Sequence, residues 1–140
     1  MSVLPEGPFG ERVARRLRES YAIWLTTVAN DGTPQPNPVW FIWDGDDSVL
    51  VYNRADAHRL AHIEARPRIA LHLDGNGRGG DIVVLAATAR RDPDAPVPHE
   101  NPDYLAKYRD GMTRVSGSPE RFSVDYPVPL RIRIRRIRGR

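Results

Sequence analysis

The chain has 140 residues, a formal net charge of +3 and no cysteine. This length fits a single domain, and the missing cysteines exclude disulfides, thiolate metal sites and a cysteine nucleophile. No apolar run approaches the roughly 20 residues of a membrane helix and the start lacks a signal-peptide core, so we expect a cytoplasmic protein with no membrane partner. The single lysine beside many arginines indicates biased codon usage, or arginines that hold phosphate or carboxylate.

Hydrophobic periodicity and turn residues predict a chain of strands with few helices. The predicted elements are, in order, a helix over 11–20, strands over 22–29, 35–43 and 48–53, a helix over 57–65, strands over 68–74 and 81–90, a loop-and-helix insertion over 92–128 and a strand over 130–138. Six strands without regular strand–helix alternation favour a mainly β fold, an antiparallel barrel with added helices, over residues 1–140.

The most informative segment is the first predicted hairpin, which turns at Asp31-Gly32. Its second strand contains Pro36 and Pro38. Because proline has no N–H for a sheet ladder, residues 34 to 38 must form a sheet edge, a bulge or a groove wall. Large aromatic residues follow at once. Open backbone beside flat side chains suits a planar ligand, although aromatic residues at a strand end also serve as plain core.

Helix boundaries can be predicted from caps. Asp56 is the expected N-cap of the second helix, and Asn101 and Ser118, each followed by proline, are expected to cap two helices of the insertion. We expect Gly111 to end the first of these. The C-terminal strand alternates isoleucine with arginine until Arg135-Arg136, which indicates a bulge or a strand end. A row of like charges on one face needs acidic neighbours, solvent or an anionic ligand.

Residues 53–59 end a strand and open a helix, which makes them the candidate site for an anion. The free N–H groups of the helix start, with Arg54, Arg59 and His58, could cradle a phosphate; the arginines could instead only solvate the helix end. His58 and His62 have the spacing of a metal pair, but no third ligand is at motif spacing, so we expect no metal. Since no nucleophile motif is present, we expect the chemistry of any enzyme here to come from a bound cofactor and not from a pair of side chains.

The whole chain resembles a known family. The matching segments are TTVANDGTPQPNPVWFIWDGD, LVYNR, HIEARPRIALHLDGNGRGGDIVV and PLRIRIRRIRG. They resemble the split-barrel flavin and deazaflavin reductases related to pyridoxamine 5′-phosphate oxidase, and more narrowly their actinobacterial F420-dependent branch. The resemblance implies a six-stranded antiparallel split β-barrel of the FMN-binding type. It also implies a homodimer with two cofactor sites at the subunit interface.

The same resemblance implies where a cofactor binds. The backbone around Asn37, Pro38, Val39 and Trp40 would lie along the ring system. The phosphate would lie near a second group of residues, which are Tyr52, Asn53, Arg54, His58 and Arg59. Tyr52 and bulk water are the candidate proton donors, and a purely structural role for Tyr52 is the alternative.

The chain also departs from the family pattern. Relatives carry a Lys-x-Arg pair at the start of the helix that follows the third strand, whereas this chain has Arg59 and Ala61, so one phosphate-binding cation is missing. After DIVV, relatives often have Glu-Gly, but Ala86-Ala87 stands here. Both departures weaken the expected phosphate cradle.

The resemblance implies an oxidoreductase in which reduced F420 delivers hydride to a small organic acceptor. FMN would use the same cradle, which leaves an FMN-binding, pyridoxamine 5′-phosphate oxidase-like enzyme as one alternative. A second alternative is a non-catalytic protein that binds flavin, F420 or haem. A third, in which the arginine strand binds nucleic acid, disagrees with the small net charge, so we expect no nucleic-acid partner.

Overall fold

The computed structural model describes residues 2–140, which form one antiparallel sheet and four α-helices. The helices are α1 (Pro8–Glu19), α2 (His58–Ala65), α3 (Pro102–Ser116) and α4 (Pro119–Asp125). The strands are β1 (Ala22–Val28), β2 (Pro34–Trp40), β3 (Ile42–Trp43), β4 (Ser48–Asn53), β5 (Arg68–His72), β6 (Val83–Arg91) and β7 (Val128–Gly139). No helix within residues 2–140 is long and apolar enough to cross a bilayer.

The strand order is β2-β1-β5-β6-β7-β4-β3, so the two edges of the sheet are consecutive in sequence. The chain passes from one edge to the other through Phe41, and the sheet therefore curls into a barrel that stays open between β2 and β4. This arrangement confirms the predicted mainly β split barrel. It also confirms that residues 34 to 38 lie at a sheet edge, where all five are exposed.

Two apolar clusters cover the two faces of the sheet. Alternating residues such as Ile23, Leu25 and Val51 fill the barrel interior together with the buried sides of α1 and α2. On the opposite face of β4, Leu50 and Tyr52 are buried under α3 and α4. Because β4 is covered on both faces, five of its six residues are buried.

Phe41 is the point at which the predicted strand over 35–43 divides into β2 and β3. Its N–H donates to the Tyr108 hydroxyl at 2.8 Å, and its C=O accepts from Lys107 Nζ at 3.0 Å. Side chains of α3 thus replace the sheet partner that this residue lacks. Burial lowers the pKa of Lys107 to about 8. The break explains why the sheet has seven strands where the sequence predicts six.

Gly111 does not end α3, contrary to the prediction. The helix continues to Ser116 and ends at Gly117, whose φ of 95° is the left-handed conformation that favours glycine. Inside the helix, a Cβ on Gly111 would lie 2.7 Å from the Trp40 ring and 2.6 Å from the Tyr21 hydroxyl. Glycine is therefore required at this position for close packing.

The predicted caps of the insertion are confirmed, but the cap of α2 is not. Asn101 accepts a hydrogen bond from the N–H of Tyr104, and Ser118 accepts one from the N–H of Arg121. The N-cap of α2 is Ala57, which offers no side-chain acceptor, and Asp56 is exposed outside the helix.

The predicted strand start at residue 81 is also wrong, because β6 begins at Val83. Asp81 lies in the preceding loop with a φ of 55°. Its carboxylate pairs there with the guanidinium groups of Arg12 and Arg16 of α1. These ion pairs hold the loop between β5 and β6 against the first helix.

The doubled arginine of β7 marks a bulge, one of the two outcomes predicted. Ile134 pairs with Ala87 and Arg136 pairs with Ala86, so Arg135 is the extra residue. The bulge keeps Ile137 on the inner face.

Acidic neighbours balance part of the arginine row. Arg131 pairs with Asp92 and Arg133 pairs with Asp47, each at 3.1 Å. Acidic neighbours, one of the three expected alternatives, are thus present at two arginines of the row.

We expect Tyr108→Phe to lower the free energy of unfolding by about 1–3 kcal/mol, because the buried N–H of Phe41 loses its acceptor. Urea denaturation at pH 7 measures the change. Tyr21→Phe is the matched control, since it removes a hydroxyl from a side chain that is 47% exposed and should change stability by less than about 0.5 kcal/mol. Equal effects of the two variants would contradict the role assigned to Tyr108.

Gly111→Ala should also destabilise the protein, although the same change within a helix normally stabilises by about 0.5–1 kcal/mol. The added methyl group displaces the Trp40 ring, and overpacking of this kind costs about 1–3 kcal/mol. The background Tyr21→Phe with Trp40→Phe removes both obstacles, and there the alanine should be neutral or stabilising. Thermal unfolding is compared for the unaltered protein and the double-variant background, each with and without Gly111→Ala. The comparison shows whether the effect of the alanine on stability changes from destabilising to neutral or stabilising.

Candidate functional site

A cavity of about 320 Å³ lies between the free edge of β2, the end of β4, the start of α2 and the helices of the insertion. Three consecutive residues of β2, Pro38, Val39 and Trp40, line this cavity. Because successive side chains of a strand point to opposite faces, the cavity must lie against the strand edge and not against one face alone. Its lining consists of Pro38, Val39, Trp40, Tyr52, Arg54, Asp56, Ala57, Arg59, Tyr104, Val115, Phe122 and Tyr126. The volume falls within the range of small-molecule sites.

Stacked aromatic rings form one wall of the cavity. The Trp40 indole lies between Tyr108 and Phe122, with ring centroids 4.8 and 5.6 Å away and interplanar angles of 4° and 12°. Phe122 stacks in turn on Tyr126 at 4.3 Å. Offset stacking of this kind holds the rings in fixed orientations. The wall is therefore a rigid stack of aromatic rings, in which Trp40 and Phe122 are each covered by other rings of the stack.

Arg59 supplies a positive charge to the same cavity. Its Nε donates to Asn53 Oδ1 at 2.6 Å, and the Asn53 amide donates in turn to the carbonyls of Val51 and Val128. Burial lowers the pKa of the Arg59 guanidinium, which nevertheless stays charged at neutral pH. Within residues 2–140, no carboxylate lies within ion-pair distance of it. A half-buried cation without an acidic partner suits an anionic ligand.

Arg54 is held more loosely at the cavity mouth. Its guanidinium lies 5.5 Å from the Tyr126 ring centroid, and its pair with Asp56 spans 3.8 Å between side chains that are 57% and 86% exposed. Exposed pairs of this kind contribute little to stability. Arg54 can therefore exchange this carboxylate for an anionic ligand at little cost.

The start of α2 adds backbone donors to the same cavity. Ala57 offers no capping side chain, and no acidic residue occupies the first turn of the helix. The positive end of the helix is thus free to interact with an anion. Arg59 and Ala57 line the cavity at this point.

A second, polar groove of about 450 Å³ adjoins the cavity and shares Ala57 and Arg59 with it. It lies between α2 and the β1–β2 hairpin. Asn37 and His58 line it. The Thr27 hydroxyl and His62 Nδ1 meet there at 3.2 Å.

The nine residues that the sequence predicts to bind a cofactor lie in one region of the structure, but they contribute to it in different ways. Six of them line the cavity: Pro38, Val39, Trp40, Tyr52, Arg54 and Arg59. Asn37 and His58 line the adjoining groove, which Arg59 also reaches. Asn53 is fully buried and lines neither space, so it acts by orienting Arg59.

Tyr52 is positioned as a structural residue. Its hydroxyl donates to the carbonyl of Pro96 at 2.5 Å and accepts from the Asn101 amide at 3.1 Å. Burial raises the pKa of this phenol. A hydroxyl that is committed to the protein and hard to ionise is poorly placed to donate a proton, so of the two predicted donors bulk water remains.

The helical wall of the site is absent from the sequence prediction. Tyr104, Val115, Phe122 and Tyr126 reach the cavity from the insertion. The signal available was the aromatic pair Phe122 and Tyr126, which share one face of α4 because they are four residues apart. Ala61, which replaces a cation of the family pattern, is exposed and lines neither space.

The site therefore combines a rigid aromatic wall with cationic side chains, and these features fit a ligand with a planar ring system and an anionic tail. A flavin-type cofactor has this form. Within residues 2–140, no three metal-ligating side chains gather.

Comparison with known proteins agrees with this fit. The pyridoxamine 5′-phosphate oxidase family model matches residues 9–126. A structure named F420 Reductase aligns with a TM-score of 0.74 and 22% identity, covering 98% of this chain and 100% of that one. The conserved hypothetical protein Rv2991 from Mycobacterium tuberculosis aligns with a TM-score of 0.72 and 18% identity, covering 99% and 86%.

A FAD-binding protein from Mesorhizobium loti has the same fold, with a TM-score of 0.59, 20% identity and coverage of 91% and 88%. No curated protein matches the chain. The family match spans most of the sequence, and the structures share the barrel over nearly its full length. The chain therefore belongs to the pyridoxamine 5′-phosphate oxidase family, and its split barrel is that of a flavin-type oxidoreductase.

Proposed function

We propose that the protein is an oxidoreductase that binds coenzyme F420 in the cavity beside β2 and reduces a small organic acceptor. The observation that carries the proposal is the half-buried Arg59 without an acidic partner, in a cavity that a stacked aromatic wall also lines. The similarity to a structure named F420 Reductase supports the choice of cofactor. The abundance of arginine also suits the acidic tail of F420.

When bound, F420 supplies hydride from its reduced deazaflavin ring. The chain contributes binding and orientation. Trp40 and Phe122 contribute to a rigid aromatic wall, and the open edge of β2 offers main-chain carbonyls. Arg59, with Arg54 and the start of α2, neutralises the phosphate, and each charge-assisted bond is worth roughly 1.5–3 kcal/mol.

Arg59→Ala tests this assignment. We expect the variant to bind F420 at least about 1 kcal/mol more weakly, a roughly fivefold rise in Kd, because the anion loses its buried partner. Titration followed by F420 fluorescence measures the change. Arg15→Ala, which removes an exposed arginine on α1, is the matched control and should bind as the unaltered protein does. Failure of the unaltered protein to bind either F420 or FMN would overturn the proposed function.

We further propose that two copies of the chain pair through the outer face of the sheet and complete the two sites. In register across four strands, Pro36, Thr26, Ala70 and Ala86 form a row of small side chains that no helix covers. Small, uncharged side chains of this kind suit close packing of a second sheet. Because β2 belongs both to this face and to the cavity, pairing would extend the cavity wall.

Ala70→Arg should prevent the pairing, since it places a charge in the middle of the row. We expect sedimentation equilibrium to give a dimer for the unaltered protein, a monomer for this variant, and weaker F420 binding by the monomer. Ala106→Arg, on the exposed side of α3, should remain dimeric. A monomeric unaltered protein at micromolar concentration would contradict the pairing.

A further inference from the structure

The free edge of β2 presents hydrogen-bond acceptors and almost no donors. β2 pairs with β1 through Val28↔Pro34, Thr26↔Pro36 and Trp24↔Pro38. In an antiparallel ladder, paired residues alternate between positions whose N–H and C=O both face the partner strand and positions whose groups both face away. Since proline cannot donate, these three pairs must be of the second kind.

As a result, the free edge of β2 has outward carbonyl groups but lacks outward N–H groups at its prolines. The carbonyls of residues 34, 36 and 38 face away from β1, and the N–H groups that would accompany them do not exist. The N–H groups of Gln35, Asn37 and Val39 are used by β1. Trp40, which continues the same alternation opposite Ala22, carries the single outward N–H of residues 34–40.

The cavity lies against this edge. It touches Pro38, Val39 and Trp40, whose side chains alternate between the two faces of the strand, and β1 occupies the opposite edge. A ligand in the cavity therefore meets a main chain that accepts hydrogen bonds from ring N–H groups but gives few in return.

We infer that this edge selects a 5-deazaflavin ring over a flavin ring, an inference that rests on the proposed function. In their oxidised forms the two rings differ at position 5, where a flavin has a nitrogen that accepts a hydrogen bond and a deazaflavin has a C–H group that does not. Beside Pro38 the flavin nitrogen would have no main-chain donor, and a buried acceptor without a donor costs binding energy, whereas a C–H group loses nothing there. Pro38, the one proline of β2 that lines the cavity, thus acts as the specificity-determining residue.

The test compares FMN with 5-deaza-FMN, which differ at this one position and share the same phosphate. Calorimetric titration of the full chain should give 5-deaza-FMN a lower Kd than FMN. Binding of both ligands with FMN as tight as or tighter than 5-deaza-FMN would overturn the inference and leave the proposed site intact. Binding of neither ligand nor F420 would overturn both.

Pro38→Ala supplies the decisive variant, because it restores an outward N–H at the cavity. We expect FMN binding to tighten by about three- to tenfold relative to 5-deaza-FMN, the range of one hydrogen bond. Pro34→Ala restores the same group at the far end of the strand, outside the cavity, and should leave the ratio of the two Kd values unchanged. Comparing both ligands on each variant cancels any effect of the substitution on stability. An unchanged ratio in Pro38→Ala would contradict the inference.

Discussion

The missing N–H groups of three alternating prolines are the constraint on which this structure depends. A strand with prolines at residues 34, 36 and 38 can pair on one side only, so β2 must end the sheet. The barrel consequently stays open between β2 and β4. The opening holds the cavity, and α3 satisfies the backbone of Phe41 where the chain crosses from one edge to the other. The prolines of β2 thus determine both the opening of the barrel and the position of the cavity.

Near the start of α2, the cavity has one well-supported arginine where the family pattern has two cations. Asn53 is fully buried and holds Arg59 through its side-chain oxygen, which fixes the guanidinium without neutralising it. Arg54 and the uncapped start of α2 stand beside it. The exposed position of Ala61 shows that the missing cation leaves no gap in the cavity wall. A single oriented charge can then carry much of the phosphate interaction.

The edge strand and the cationic start of α2 could be predicted from the sequence. The missing N–H of proline and the charge of arginine do not depend on contacts with distant residues. The break at Phe41 was not predictable, since the side chains that replace its sheet partner lie 66 and 67 residues away. Glycine commonly follows the end of a helix, so the sequence indicates a helix end at Gly111. The structure shows that glycine is required there because the Trp40 ring packs against it. The aromatic wall depends on how the insertion folds back over β4, which periodicity does not encode.

A crystal structure of the protein grown with F420 tests directly whether the cofactor binds beside β2. We predict that the deazaflavin ring lies in the cavity along the free edge of β2, with its phosphate at Arg59. A structure in which F420 lies elsewhere, or in which the side chains of a second copy fill the cavity and leave no room for the ring, would contradict it.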